Sequence, residues 1–246
     1  MTPVASTLRF TWTSSSRSVT GNVRQVNEDA CLELPASGLW AVADGMGGHT
    51  AGDVASRAVV DALAAIRPDS RPSSFIDQIE DCLSEVNSQL YGRSTDATST
   101  GPCGSTVAVL TVIGAYVACL WAGDSRIYRR RGALLEQVTR DHSEVQEAAD
   151  HVRSFAAGTG PAANVITRAV GGTADLTLDM ELREIGAGDS YLICSDGLYR
   201  EVPDADLARH LRKAPDEACA SLVEQALRGQ CSDNVTLVAV SFDRAV

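Results

Sequence analysis

Four apolar, strand-like runs in this chain each carry an aspartate at one edge. Residues 39–44 (LWAVAD) end at Asp44, residues 117–124 (VACLWAGD) at Asp124 and residues 191–196 (YLICSD) at Asp196, while residues 233–240 (DNVTLVAV) begin at Asp233. One strand delivering a carboxylate into its exit loop is ordinary. Four in one chain suggest that the carboxylates converge, and converging carboxylates repel one another strongly at low dielectric. Such a cluster is stable only with cations in it. The chain therefore reads as built around a hard-metal site.

The rest of the composition is compatible with that reading. With 246 residues, 44% of them hydrophobic, the chain can bury a sizeable core. It is expected to be one domain over residues 1–246. No apolar stretch approaches the roughly 18 residues of a membrane span. Residues 1–18 are polar and rich in Ser and Thr, without the basic-then-apolar layout of a secretory signal. Seven cysteines without a C-x-x-C pair suit free thiols in a reducing compartment, so the cytoplasm is the expected location. The net charge of −11 argues against nucleic acid as a partner, because phosphate-backbone binding needs a basic footprint. A monomer is expected.

Apolar periodicity places the elements. Residues 8–13, 29–34 and 39–43 read as strands. After a glycine-rich turn, Ala51, Val54, Ala55, Ala58, Ala62 and Ile66 recur at helical spacing, as do Phe75, Ile79, Leu83, Val86 and Leu90. Pro68 and Pro72 separate the two helices, which the short connection makes antiparallel neighbours. Residues 94–103 read as a polar loop, and strands are expected at 105–113, 115–121 and 126–130. Residues 139–163 lose the pattern and read as a partly helical excursion. Strands return at 176–183, 190–194 and 235–242, with helices near 203–211 and 215–227 between the last two. Strands from both ends of the chain flanking helix pairs imply α+β layering: two mainly antiparallel sheets face to face with helices outside.

The carboxylates sit in short polar strings. Arg24-Gln25-Val26-Asn27-Glu28-Asp29 puts a guanidinium four residues before two adjacent acids, where it can meet a phosphate in two-pronged fashion beside a metal cluster; taken alone it is also an ordinary solvated loop. In Asp44-Gly45-Met46-Gly47-Gly48-His49 the glycines let the backbone approach an ion and free the Gly45 carbonyl as a ligand, while His49 is more often structural than a ligand. Gly123-Asp124-Ser125, Ser195-Asp196-Gly197 and Ser232-Asp233-Asn234 complete the set, and each by itself would pass for a turn. The donors are oxygens, with no histidine or cysteine cluster of metal spacing, which points to Mg²⁺ or Mn²⁺ over Zn²⁺. No G-x-S-x-G or H-E-x-x-H occurs and the four histidines (49, 142, 151, 210) are dispersed, so water is the expected nucleophile.

Together these strings resemble the metal-dependent protein Ser/Thr phosphatases, the PPM or type 2C family, in its bacterial form. RQVNEDA, VADGMGGH, GSTVAVL, AGDSRIYR, TRDHS, ITRAVGG, ICSDGLY and SDNVTLV run in the family's order from Arg24 to Val238. The resemblance implies a β-sandwich flanked by helix pairs and two or three Mn²⁺ or Mg²⁺ ions. It implies that Asp44 bridges two ions with the Gly45 carbonyl on one, that Asp196 and Asp233 complete the other, and that Asp124 shares a third with Asp196. Glu28 and Asp29 would orient water, and Arg24 would grip the substrate phosphate. Residues 141–164 match a mobile flap. The partners implied are phosphorylated proteins and a cognate Ser/Thr kinase pathway, and the compact form also resembles the stand-alone phosphatases of type VI secretion. One departure is Met46, where the animal enzymes carry the histidine proposed as general acid. The proton donor is thus open, with water at the metals as one candidate. A silent phosphoprotein-binding module should have lost one of Asp44, Asp196 or Asp233, and all three are present. A hydrolase of small phosphate esters is the remaining alternative, weakened by the lack of a base- or sugar-recognition element.

Overall fold

Both sheets owe their place to strands that are apolar on two faces. The computed structural model describes residues 10–47, 51–67, 72–96, 103–150 and 165–245. One sheet runs in the order β1 (Phe10–Val19), β11 (Val235–Arg244), β10 (Ser190–Cys194), β7 (Arg126–Arg131) and β8 (Leu134–Gln137). The other runs β2 (Asp29–Leu34), β3 (Leu39–Gly47), β5 (Val107–Ile113), β6 (Tyr116–Ala122) and β9 (Asp179–Glu184), with β4 (Cys103–Ser105) paired to the end of β3. The helices are α1 (Ala51–Ala65), α2 (Pro72–Thr95), α3 (Glu144–Asp150), α4 (Asp196–Tyr199), α5 (Asp204–His210) and α6 (Pro215–Arg228).

In β3 the alternation of a strand sends Trp40 and Val42 between the sheets and Leu39, Ala41 and Ala43 against α1 and α2. Burial on both faces is why the run reads as continuously apolar. Likewise β11 points Val238, Val240 and Phe242 inward and Leu237 and Ala239 toward the layer of α5 and α6. The result is the expected α+β sandwich, layered helix–sheet–sheet–helix. Phe242 sits edge-on to Trp40 and Tyr191 and tilted to Trp12, with centroids 5.7–6.5 Å apart, and is itself fully buried. Truncating it to Phe242→Ala is expected to cost roughly 3–5 kcal/mol, the usual range for an aromatic removed from a packed core, read as a lower denaturant midpoint at unchanged slope.

Several boundaries differ from the sequence reading. β1 runs to Val19 rather than stopping at residue 13, because its serines pair residue by residue with β11 (Ser14 opposite Val240, Ser18 opposite Thr236). Backbone pairing with a buried neighbour outweighs the weak strand preference of the serines. β3 continues through Asp44 and Gly45 to Gly47, where a turn was expected, since β4 pairs with it from Gly45 opposite Ser105 to Gly47 opposite Cys103. Glycine is required at 45 for close approach: a Cβ there would run into the carbonyl oxygens of Gly52 and Glu28. Thr106 separates β4 from β5, so residues 105–113 are not one strand, and β9 begins at Asp179 rather than 176. α2 extends to Thr95 and β4 begins at Cys103, trimming the expected loop at both ends. The half-exposed edge strand β8 was not expected at all, having too short an alternation to stand out. The partly helical excursion contains α3, and the remainder of the expected flap, residues 151–164, lies outside the described residues, as does His49.

Candidate functional site

The pairing of β2 with β3 sets Asp29 directly opposite Asp44, which puts both side chains on one face of the sheet. The backbone of Asp44 is fixed by Thr106 and Ser105. Its N–H donates to Thr106 Oγ1 at 3.0 Å, and its carbonyl accepts the Thr106 N–H at 2.8 Å and the Ser105 hydroxyl at 3.0 Å. One residue on, the Gly45 N–H donates to the Glu28 carbonyl at 3.1 Å. The Glu28 carboxylate itself stands against Gly52 in the first turn of α1, in space a side chain at 52 would fill.

The other sheet delivers Asp196 and Asp233 at the same end of the neighbouring strands β10 and β11. Their loops are in contact, since a Cβ at Gly197 would strike the Asn234 carbonyl oxygen and lie 3.5 Å from Asp233 Cβ. Two polar residues stitch the sheets together here. Ser195 Oγ donates to Asp29 Oδ2 at 2.7 Å and accepts the Thr236 N–H at 3.0 Å. Asn234 accepts the Glu28 N–H at 2.8 Å and donates to the carbonyls of Thr20 and Val26 at 2.9 and 3.0 Å, holding the Arg24 loop over the site. Asp124 leaves the end of β6, and its carbonyl accepts the Tyr199 hydroxyl at 3.1 Å. Arg200 Nη1 lies 2.7 Å from Asp196 Oδ2, and its Nη2 lies 3.8 Å from Asp124 Oδ2.

The electrostatics show how closely these groups gather. Burial, and then the charges of Asp29, Asp196, Asp124 and Asp233, push the Asp44 carboxyl well above the usual carboxylate range. Asp29 is raised to about 7, chiefly by burial, with hydrogen bonds from Ser195 and Thr236 acting the other way. Asp124 is raised to about 6 by burial and by Asp196, against the pull of Arg200. Asp196 is also raised, by burial first and then by Asp233, with Arg200 opposing. Asp124 Oδ1 and Asp196 Oδ1 are buried with no hydrogen-bond partner. Mutually repelling carboxylates with buried, unpartnered oxygens are a donor set that a hard divalent cation fits. Among the described residues no three His, Cys, Asp or Glu side chains already stand at ligand spacing around one point. What the fold supplies is carboxylates on adjoining loops, within each other's field.

Arg24 lies at the rim, its side chain half exposed, and meets Asp233 in two-pronged fashion, Nε to Oδ1 and Nη2 to Oδ2, each at 3.0 Å. The start of the expected flap is tied to the site. Arg126 grips Asp141 with Nε at 3.0 Å from Oδ1 and Nη2 at 2.7 Å from Oδ2, and the Gly123 N–H donates to His142 Nδ1 at 3.2 Å. A cleft of about 260 Å³ opens between these residues, lined by Asp124, Arg126, Asp141, Ser143, Tyr199 and Arg200 among others. Sequence reasoning singled out none of Thr106, Ser195, Asn234 or Arg200 for a role. The first three were visible as polar residues abutting strand ends, and Arg200 only as a cation one helical turn after Asp196.

A two-sheet sandwich with carboxylates gathered at one end of its strands is the frame in which this sequence was expected to do metal-dependent chemistry. The chain matches the family model for protein phosphatase 2C over residues 20–229 and belongs to that family. It is 35% identical over 228 residues to the serine/threonine protein phosphatase PstP of Mycobacterium tuberculosis, covering 91% of this chain and 44% of that one, so it spans less than half the length of this relative. The structure of PppA, a key regulatory component of T6SS in Pseudomonas aeruginosa, superposes with a TM-score of 0.88 at 41% identity, covering 94% of this chain and 98% of that one. The catalytic domain of PstP in complex with two manganese ions superposes with a TM-score of 0.81 at 34% identity, covering 96% and 100%.

Proposed function

We propose that this protein hydrolyses phosphoserine and phosphothreonine in other proteins, opposing a Ser/Thr kinase. The observation that carries the reading is the set of buried, like-charged carboxylates whose ionisation the protein alone opposes. Family membership and the manganese ions of the PstP catalytic domain support it. Asp44, the Gly45 carbonyl, Asp196 and Asp233 would hold two Mn²⁺ or Mg²⁺ ions, and Asp124 with Asp196 a third. Divalent ions there would neutralise the cluster and bring the pKa of water toward neutrality.

The side chains around the cluster have separable tasks. Asp29, fixed through Oδ2 by Ser195, would orient the attacking water beside Asp44. Glu28 backs the same wall from the first turn of α1. Arg24 presents two donors in a fork, and a phosphate offers the same two-oxygen edge as the Asp233 carboxylate the fork now faces. Catalysis is then mainly positioning plus electrostatics, with no phospho-enzyme required. The chain works as a monomer in the cytoplasm, and its likeness to PppA supports a place beside a type VI secretion kinase.

Phosphate release from phosphoserine or phosphothreonine peptides is expected to stop with chelator and to return with Mn²⁺. Normal turnover by an Asp196→Asn enzyme would contradict the assignment. Recovery of no kinase-pathway protein on an Asp233→Asn bait would remove the kinase link.

A further inference from the structure

Arg200 touches two of the four strand-edge aspartates. It follows α4 directly, four residues after Asp196, and reaches Asp196 Oδ2 with Nη1 at 2.7 Å and Asp124 Oδ2 with Nη2 at 3.8 Å. Both carboxylates therefore turn the same oxygen, Oδ2, toward one guanidinium. Their other oxygens are buried and unpartnered, in residues only 6% and 8% exposed. Among the described residues the pair is met by positive charge at Oδ2, while neither Oδ1 has a hydrogen-bond partner.

The second guanidinium nearby cannot take this part. Arg126 is bound in two-pronged fashion to Asp141, and its carbon lies 3.7 Å over the Tyr199 ring. Tyr199 in turn fixes the Asp124 backbone through its hydroxyl. Among the described residues, Arg200 is the cation whose fork faces the Asp124–Asp196 pair. Its side chain is 39% exposed, so the guanidinium itself is not locked in the interior.

We propose that Arg200 is a resident cation of the Asp124–Asp196 pair and weakens the binding of the divalent ion that this pair takes. The inference rests on the metal assignment proposed above. A divalent ion arriving at the two unpartnered oxygens meets carboxylates already partly neutralised and a positive charge a few ångströms away. Like charges at that range repel appreciably even at a protein surface. A clamp that only held both carboxylates in a ligand-ready pose would tighten the ion instead. The two roles differ in sign.

The test is a Mn²⁺ titration of wild type, Arg200→Ala, Arg200→Gln and Arg200→Lys, with free Mn²⁺ counted by electron paramagnetic resonance. For both neutral variants the binding step that Asp124→Asn removes is expected to tighten by about tenfold, the scale of one nearby unit charge. Arg200→Lys, which keeps the charge, should stay near wild type. Adding Asp124→Asn to Arg200→Gln should abolish the tightened step. An unchanged or weakened step in both neutral variants overturns the proposal, as does a tightened step that survives Asp124→Asn. If wild type takes up two ions and the Arg200 variants change nothing, only this inference fails. If wild type takes up none, the metal assignment fails with it.

Discussion

Asp44→Asn is expected to lower kcat/KM toward a phosphothreonine peptide by about 10³-fold or more. Changing a residue one step removed from a metal usually costs about 10–100-fold in affinity or activity, and Asp44, proposed as a direct ligand, should cost more. The same substitution is expected to stabilise the metal-free protein at neutral pH. Asp44 is the buried carboxyl on which Asp29, Asp196, Asp124 and Asp233 all press, so an uncharged amide of equal size relieves repulsion. Since each kcal/mol moves the midpoint of a chain this size by roughly 2–4 °C, differential scanning calorimetry in chelator should resolve the gain. Loss of turnover together with a higher metal-free Tm is the signature of a residue kept for function at a cost in stability. Loss of turnover with a lower Tm would mean that Asp44 is a structural residue.

In chelator, thermal stability is expected to fall as pH rises from 5 to 8, and Mn²⁺ is expected to restore it at pH 8. The direction follows from linkage. Asp29, Asp44, Asp124 and Asp196 all have folded-state pKa values above the ordinary carboxylate value of 3.8. Over that interval the folded chain binds more protons than the unfolded one, so the contribution is fully present below about pH 4 and is lost as pH rises through the folded values. Those values are about 6 for Asp124 and about 7 for Asp29. His142 acts the other way: burial lowers its pKa, so its contribution is present above its ordinary value of 6.5 and lost as pH falls below that. One histidine against four carboxyls leaves the net sign unchanged. A decline of roughly 10 °C is expected across the window, given the few kcal/mol that such shifts represent. Mn²⁺ binds the folded chain and raises Tm by mass action. A flat or rising Tm in chelator over this range would contradict the convergence of the carboxylates.

The layered fold was legible in the sequence because β3, β6, β10 and β11 are apolar on both faces, which leaves few arrangements for them. The strand-edge aspartates were legible for the same reason: in such runs a carboxylate can sit only at the end. What stayed hidden depends on partners distant along the chain. The extension of β3 past Gly45 requires β4, some sixty residues later, and the serines of β1 become a strand only beside β11. Arg24 could be read as a phosphate ligand, but its bond to Asp233 spans 209 positions and no local pattern announces it. Arg200 gains its place only through the pairing of β7 with β10, which brings Asp124 to its side.

Divalent ions are expected to hold these acidic loops together at one end of the sandwich. Crystals grown with Mn²⁺ and measured at its absorption edge test it most directly. At least two anomalous peaks are expected within about 2–2.5 Å of carboxylate oxygens of Asp44, Asp196 and Asp233, the range for hard-cation oxygen contacts. Manganese bound only elsewhere, or none at this end of the strands, would contradict it.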